Sequence, residues 1–376
     1  MILPLTISQC DERKPCQNCV KRNQDCVFAT SPKLPSSMVQ TRRPIQESPS
    51  SSSVIPDSPS SIINLEHLRL LHHFQTSTFE TFIMEPETWK DSVIALAVEN
   101  KFLMHAIFLV TATHLQHLQP DERGHQLVAL DHLSQALPMF RKTLCEASDF
   151  RGSRGEAVIA CSMLLLQYSW TYDSDGWDCL MAFYKGMMNV VLEFIKSWGV
   201  TNRVDGLGMS NRFTSLLLYS PRMHIEAYFK DVAIPSGIQA IFAHVLTCTQ
   251  ISDTQPDDEN GFMEPSKRLM AILAALQLNR QELEASGLML DVARYLFSFP
   301  TLLPIGFVDM LKKEDERAQV IVLYYMAAVS RLAPGRFWWM RERGFYMYEM
   351  VLQNLGNKCT ECTRHVAEIL EGRDSD

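Results

Sequence analysis

The run Asn64-Leu65-Glu66-His67-Leu68-Arg69-Leu70-Leu71-His72-His73-Phe74-Gln75-Thr76-Ser77-Thr78 sets the fold class. Its leucines at 65, 68 and 71 recur at the spacing that puts apolar side chains on one stripe of a helix, and Phe79 and Phe82 continue the pattern. Thr88, with Asp91 three residues on, has the form of a capping box ahead of Val93 to Val98. Phe102, Ala106, Leu109, Val110 and Thr113 then share one face of a following helix, which Pro120 in the turn Gln119-Pro120-Asp121 stops.

Helical periodicity continues over residues 123–148, 154–171, 176–197, 221–231, 236–250, 264–283, 287–299, 315–333 and 336–354. Alternating strand patterns bounded by hairpin dipeptides are scarce, and no repeat has a fixed period. Residues 63–376 therefore read as one all-α domain, with the acidic stretch Asp253 to Glu264 as its longest loop.

The 376 residues, 46% of them hydrophobic, are enough for a sizeable buried core. A formal net charge of -8 excludes a chain coated with basic surface, so any contact with nucleic acid belongs to a small local module. No apolar run approaches the roughly 18 residues of a membrane helix. Met1 to Ser8 lacks the basic start of a signal peptide. Residues 29–62 are dominated by Ser and Pro, a composition that cannot offset chain entropy by burial, and read as a disordered linker.

Ahead of that linker, residues 1–28 hold four of the ten cysteines. Cys10, Cys16, Cys19 and Cys26 follow the pattern C-x5-C-x2-C-x6-C, and four thiolates at such spacing can close a tetrahedral Zn2+ shell. Arg13, Lys14, Lys21 and Arg22 lie among them.

The segment from Cys10 through Arg22 to Cys26 and Phe28 resembles the second half of the fungal six-cysteine binuclear zinc cluster, with Asp11, Pro15, Lys21-Arg22 and Phe28 at the matching positions. The resemblance implies a DNA-binding transcription regulator of the nucleus. In the family a first half supplies two further cysteines and a basic helix that reads bases in the major groove, and Met1 to Gln9 contains neither. The cluster therefore reads as partial, through a shortened protein or a start placed inside the gene, the second being favoured. Four thiolates hold one ion at most, and DNA binding by this chain is expected to be weak and phosphate-driven.

Beyond the linker, Asn64 to Thr78 resembles the opening of the fungal-specific regulatory domain of the sterol uptake control group. Phe102-Leu103-Met104-His105-Ala106, Ala112-Thr113-His114-Leu115, Phe299-Pro300 through Phe307, Arg317-Ala318 and Arg336-Phe337-Trp338-Trp339 extend the likeness. It implies an all-helical regulatory body, and in sterol-responsive members a sterol ligand, so a small apolar or sterol-like ligand and a homodimer are the expected further partners. The genes controlled would be those of a metabolic or secondary-metabolite cluster or sterol-related ones. The alternative is a non-DNA-binding interaction or ligand-binding protein derived from such a regulator.

Other constellations have plainer readings. His72-His73 with His114 and His117 lack a carboxylate or cysteine to complete a metal shell. Cys359, Cys362 and His365 lack a fourth ligand and read as a helix end. Phe337 to Met350 reads as core packing, and Cys145, Cys161, Cys179 and Cys248 as buried thiols. No nucleotide-binding, protease or hydrolase motif is found, so no enzyme is expected.

Overall fold

Leu70 and Phe74, one turn apart and fully buried, fix the inner face of helix α1 (Leu65–Thr76). The structure, a computed structural model, describes residues 64–371 apart from 84–85, 147–151, 172–176, 206–224, 226–233, 252–260, 279, 334 and 357–358. The Asn64 side chain caps α1 by accepting from the Glu66 and His67 amides. Of the apolar stripe read from the sequence, Leu71 packs against the core and Phe79 and Phe82 are buried, whereas Leu65 is 71% exposed and Leu68 52%. The 100° turn per residue carries positions 70 and 74 inward and leaves 65 and 68 outside.

The expected capping box at Thr88 does not form. Thr88 is buried inside a π-helical turn, Thr88–Val93, entered from a residue already in helical conformation, so no free helix start exists there to cap. Helix α2 (Ile94–Glu99) follows and ends at extended Asn100, from which α3 (Lys101–Leu118) departs. The α3 helix stops ahead of Pro120, as its sequence dictates. It buries nearly its whole circumference, from Phe102 to His114, because α1, α2, α4 (Gly124–Glu146) and α5 (Gly152–Ser169) surround it.

Helix α6 (Trp177–Asp205) packs against α5 and against the short 3-10 turn Phe299–Leu302, leading from the first group of helices to the second. The second group comprises α7 (Ser236–Thr247), α8 (Met263–Leu276), α9 (Arg280–Ala285), α10 (Leu288–Ser298), α11 (Ile305–Lys312), α12 (Glu316–Leu332), α13 (Arg341–Leu355) and α14 (Thr360–Glu371). Its axis is α12, which touches α7, α8, α10, α11, α13 and α14. Asp315 caps α12 by accepting from the Ala318 amide. The two groups share one hydrophobic core. Side chains of the second group also clamp residues 81–83 of the first: Trp339 Nε1 donates to the Thr81 carbonyl at 2.9 Å, and Arg294 Nε to that of Ile83 at 2.8 Å.

The described residues contain helices and no strand, so the all-α reading stands. The single stretch 264–283 is two helices broken at Gln277-Leu278, and the stretch 336–354 opens as a 3-10 turn, Trp338–Met340, before α13. Sequence reading passed over α11 and treated α14 as a mere helix end. Of the expected helix 221–231 only Ile225 is described, and it is helical and buried; most of the acidic stretch from Asp253 lies outside the described residues. So do residues 1–28 and 29–62.

Gly344 lets α13 cross α12 closely. A Cβ there would lie 2.9 Å from Val329 Cγ1 and 3.2 Å from Ser330 Oγ, whereas one at Gly186, exposed in α6, would meet nothing within 4 Å. Gly344→Ala is therefore expected to destabilise by about 1–3 kcal/mol despite alanine's better helix propensity. Gly186→Ala should stabilise by roughly 0.5–1 kcal/mol. Urea unfolding midpoints of the two variants would carry opposite signs.

Candidate functional site

The sequence-assigned zinc ligands Cys10, Cys16, Cys19 and Cys26, and the basic residues Arg13, Lys14, Lys21 and Arg22, lie outside the described residues. The helical body carries a cleft of about 1160 Å3. One wall is α6, through Met181, Tyr184, Lys185 and Met188; the other comes from Pro300, Leu303, Val308, Val322, Met347 and Met350. Lys312, Glu314, Gln319 and Asn354 add polar groups to the same lining. The mixture of flexible methionines and aliphatic carbons suits an apolar ligand whose few polar atoms reach the edge.

Tyr184 is the buried polar element of that cleft. Its hydroxyl accepts from Trp170 Nε1 at 3.0 Å and lies against Tyr325 of α12. Burial holds both tyrosine hydroxyls protonated far above their ordinary range, so they serve as hydrogen-bonding groups only. In the stretch Phe337 to Met350, which reads as core packing, Phe337, Trp338, Trp339 and Met340 are core, while Met347 and Met350 also line the cleft.

A second feature is a seam of histidines along α1, α3 and α4. His114 Nδ1 is 3.0 Å from Thr78 Oγ1, its ring lies 5.2 Å from that of His73, and it stacks on Trp338 at 5.2 Å. His117 stacks on the same indole at 4.6 Å. Deeper along α3, His105 Nδ1 and His132 Nδ1 are 3.0 Å apart, with the His67 ring 5.2 Å from His132. One imidazole must donate and the other accept, so two charged rings cannot share this contact. Burial lowers the pKa of His114 and of His132 to about 4, and neighbouring histidines add to the shift. Among the described residues these rings meet each other, Thr78 and the Trp338 indole.

The remaining cysteines divide. Cys161 is buried as expected, Cys145 is exposed, and the side chain of Cys179 lies outside the described ones. Cys248 is buried, but in company: it meets Cys359 and Cys362, with His244 beside them. His365, the expected third group of that tail, turns instead toward Arg364. The signal that sequence reading missed is His244-x3-Cys248, an i, i+4 pair on one face of α7.

Residues 8–35 match the profile of the Fungal Zn(2)-Cys(6) binuclear cluster domain, and residues 69–218 that of the Fungal specific transcription factor domain. The chain is 34% identical over 325 residues to the Zn(2)-C6 fungal-type transcription factor afumD of Aspergillus fumigatus, which covers 83% of this chain and 79% of that protein. It is 31% identical over 111 residues to Sterol uptake control protein 2 of Saccharomyces cerevisiae, covering 28% of this chain and 12% of that protein.

The histidine seam predicts a pH window. Each buried ring has a folded-state pKa near 4 against 6.5 when exposed, so its stability is fully present above pH 6.5 and is lost as pH falls toward 4. The charged groups that reach the seam are Lys101 and Asp131 beside the His105 pair and Arg341 and Glu342 beside His117. Between pH 7.5 and 5 the loss should be about 1–2 kcal/mol per histidine. Urea titrations at the two pH values check this: His114→Gln and His132→Gln should each flatten the pH dependence relative to the parent.

Proposed function

Because this chain belongs to the fungal Zn(2)-Cys(6) transcription factors, we propose that it regulates transcription through a zinc-held basic head on residues 1–28, joined by a linker over 29–62 to a ligand-responsive helical body over 63–376. The zinc-cluster domain binds zinc, and such a domain binds DNA. Cys10, Cys16, Cys19 and Cys26 are the thiolates that fit that metal, since a d10 ion accepts four sulfurs in a tetrahedron with no demand from redox state. Their match to the cluster profile at residues 8–35 is the observation that carries this reading.

Arg13, Lys14, Lys21 and Arg22 flank the thiolates on a segment too short for a core of its own, and their role is with backbone phosphates. The protein acts in the nucleus and is not an enzyme; its chemistry is metal binding and recognition. The genes it controls belong to a metabolic or secondary-metabolite cluster or to sterol metabolism, as the resemblance to afumD and to Sterol uptake control protein 2 supports.

The cleft between α6 and α11 to α13 supports control by a small apolar molecule of about sterol size. Met347 and Met350 supply adaptable contacts there, and Lys185 or Gln319 can meet a single polar end. Dimerisation through the body is compatible with this reading, because the linker lacks the heptads of a coiled coil.

DNA titrations over a range of salt test the head. Each phosphate contact removed should lower the slope of log K against log salt by about 0.9, so Lys21→Ala with Arg22→Ala should lose close to two. Cys16→Ser should abolish zinc-dependent binding altogether. Unchanged slope and affinity in both variants would place the DNA contact elsewhere. For the body, Met347→Trp should fill the cleft and reduce binding of a fluorescent sterol at least tenfold, with the far-UV spectrum unchanged.

A further inference from the structure

Four soft ligands from opposite ends of the second helical group converge at one point. His244 and Cys248 lie at the carboxyl end of α7, one turn apart; Cys359 and Cys362 lie at the start of α14, in a C-x2-C spacing. Cys248 Sγ is 3.6 Å from Cys359 Sγ, and Cys359 Sγ is 3.8 Å from His244 Nε2. All four ligand atoms fall within 4.8 Å of one another. A zinc ion with Zn–S bonds near 2.3 Å and a Zn–N bond near 2.0 Å has tetrahedral edges of about 3.8 Å between sulfurs and about 3.5 Å from sulfur to nitrogen. The 3.6 Å and 3.8 Å separations lie within about 0.3 Å of those edges, and no other pair of ligand atoms is more than 4.8 Å apart.

We propose that His244, Cys248, Cys359 and Cys362 form a structural zinc site of the helical body, separate from the cysteine head. The ligand set, three thiolates and one imidazole, leaves no open position and selects zinc among common divalent ions. The three sulfurs are buried and the imidazole sits at the edge, which gives an ion entry and a closed inner shell.

The surroundings are those of a thiolate centre rather than of three thiols packed as small apolar groups. The Cys362 amide points at Cys359 Sγ, 3.3 Å away. The buried guanidinium of Arg317 donates to the carbonyls of Val245 and Cys248, at 3.2 and 3.1 Å, and lies near enough to Cys248 and Cys362 to feel their charge. Zinc with three thiolates carries a net charge of minus one, and Arg317 balances it. Tyr324 donates to the Cys362 carbonyl at 2.9 Å, fixing the backbone of a ligand residue as outer groups of metal sites do. At the rim, the exposed Glu361 carboxylate lies 4.0 Å from His244 Nε2.

A disulfide explains less. The Cys248 and Cys359 sulfurs are 3.6 Å apart where a bond needs about 2.05 Å, and a disulfide has no use for a third sulfur and an imidazole at the same point. The metal would tie α14, a helix of 12 residues, to α7 across a chain separation of 111 residues. Both helices pack on α12, so the site fastens the end of the described chain to the central helix.

The test uses the full chain with Cys16→Ser and Cys19→Ser, which silence the head, purified with zinc and desalted. About one zinc per chain is expected by elemental analysis, and X-ray absorption should give three sulfurs near 2.3 Å and one nitrogen near 2.0 Å. Adding Cys359→Ser and Cys362→Ser should remove the ion. His244→Ala, at the exposed edge, should weaken zinc at least tenfold with helix content intact, which keeps the test valid if the double cysteine variant fails to fold. Chelation should lower Tm by about 5 °C or more. A folded, head-silenced chain holding less than a tenth of an equivalent of zinc, a sulfur-free metal shell, or a Cys248–Cys359 disulfide found by peptide mapping overturns the proposal.

Discussion

Helix α12 has no face left for water. From Arg317 to Leu332 nearly every side chain is buried, including Arg317, Tyr324, Tyr325 and Ser330. A helix in that position needs protein partners for its large polar groups, because an unmet buried donor costs more than a typical hydrogen bond returns. That requirement places its neighbours. Arg317 needs carbonyls and finds them at the end of α7; Tyr324 needs an acceptor and finds it at the start of α14. Gly344 is the matching concession on α13, where a side chain would keep the helix from its seat against Val329 and Ser330.

The first group of helices repeats the arrangement around α3, with one difference in chemistry. The polar groups buried or half-buried along α3 include His105 and His114, which can be neutral and pair with other histidines, with Thr78 or with the Trp338 indole. Trp338 and Trp339 belong to the second group, so the packing of His114 and His117 and the hydrogen bond to Thr81 join the two groups at one place. A hydrophobic core alone would permit sliding of one group on the other; directional contacts from two adjacent indoles to fixed backbone and ring positions do not.

How much of this was legible depends on what each feature rests on. Helix existence rests on local periodicity, so 123–148, 154–171 and 315–333 were found within a few residues of their bounds. The buried face of α1 is not legible, because Leu65 and Leu68 are as apolar as Leu70 and only tertiary packing decides which of them turns inward. Short α11 lay beneath the length at which periodicity speaks. The zinc-cluster head was legible because its ligands are close in sequence, and the family comparisons agree with it. The cluster of His244, Cys248, Cys359 and Cys362 was not, since its two halves are separated by more than a hundred residues and each half alone lacks a full shell. His365, one turn onward on the same helix, reads as the third group of that tail, whereas the fold brings an imidazole and a further thiol from α7.

The two features of the body with chemical potential are attached to the same short piece of α12. Gln319 and Val322 line the cleft, while Arg317 and Tyr324 hold the carbonyls of Val245, Cys248 and Cys362. At 1.5 Å of rise per residue, positions 317 to 324 span about 10 Å, two turns of a helix that close packing keeps from bending or shifting in part. Displacing the cleft wall at Val322 would therefore move the groups that orient the cysteines, and anchoring α7 to α14 would stiffen the wall. Tyr325, adjacent to Tyr324 in sequence but turned to the other side, lies against Tyr184 within the cleft, so even the polar pairs on the two sides are one residue apart.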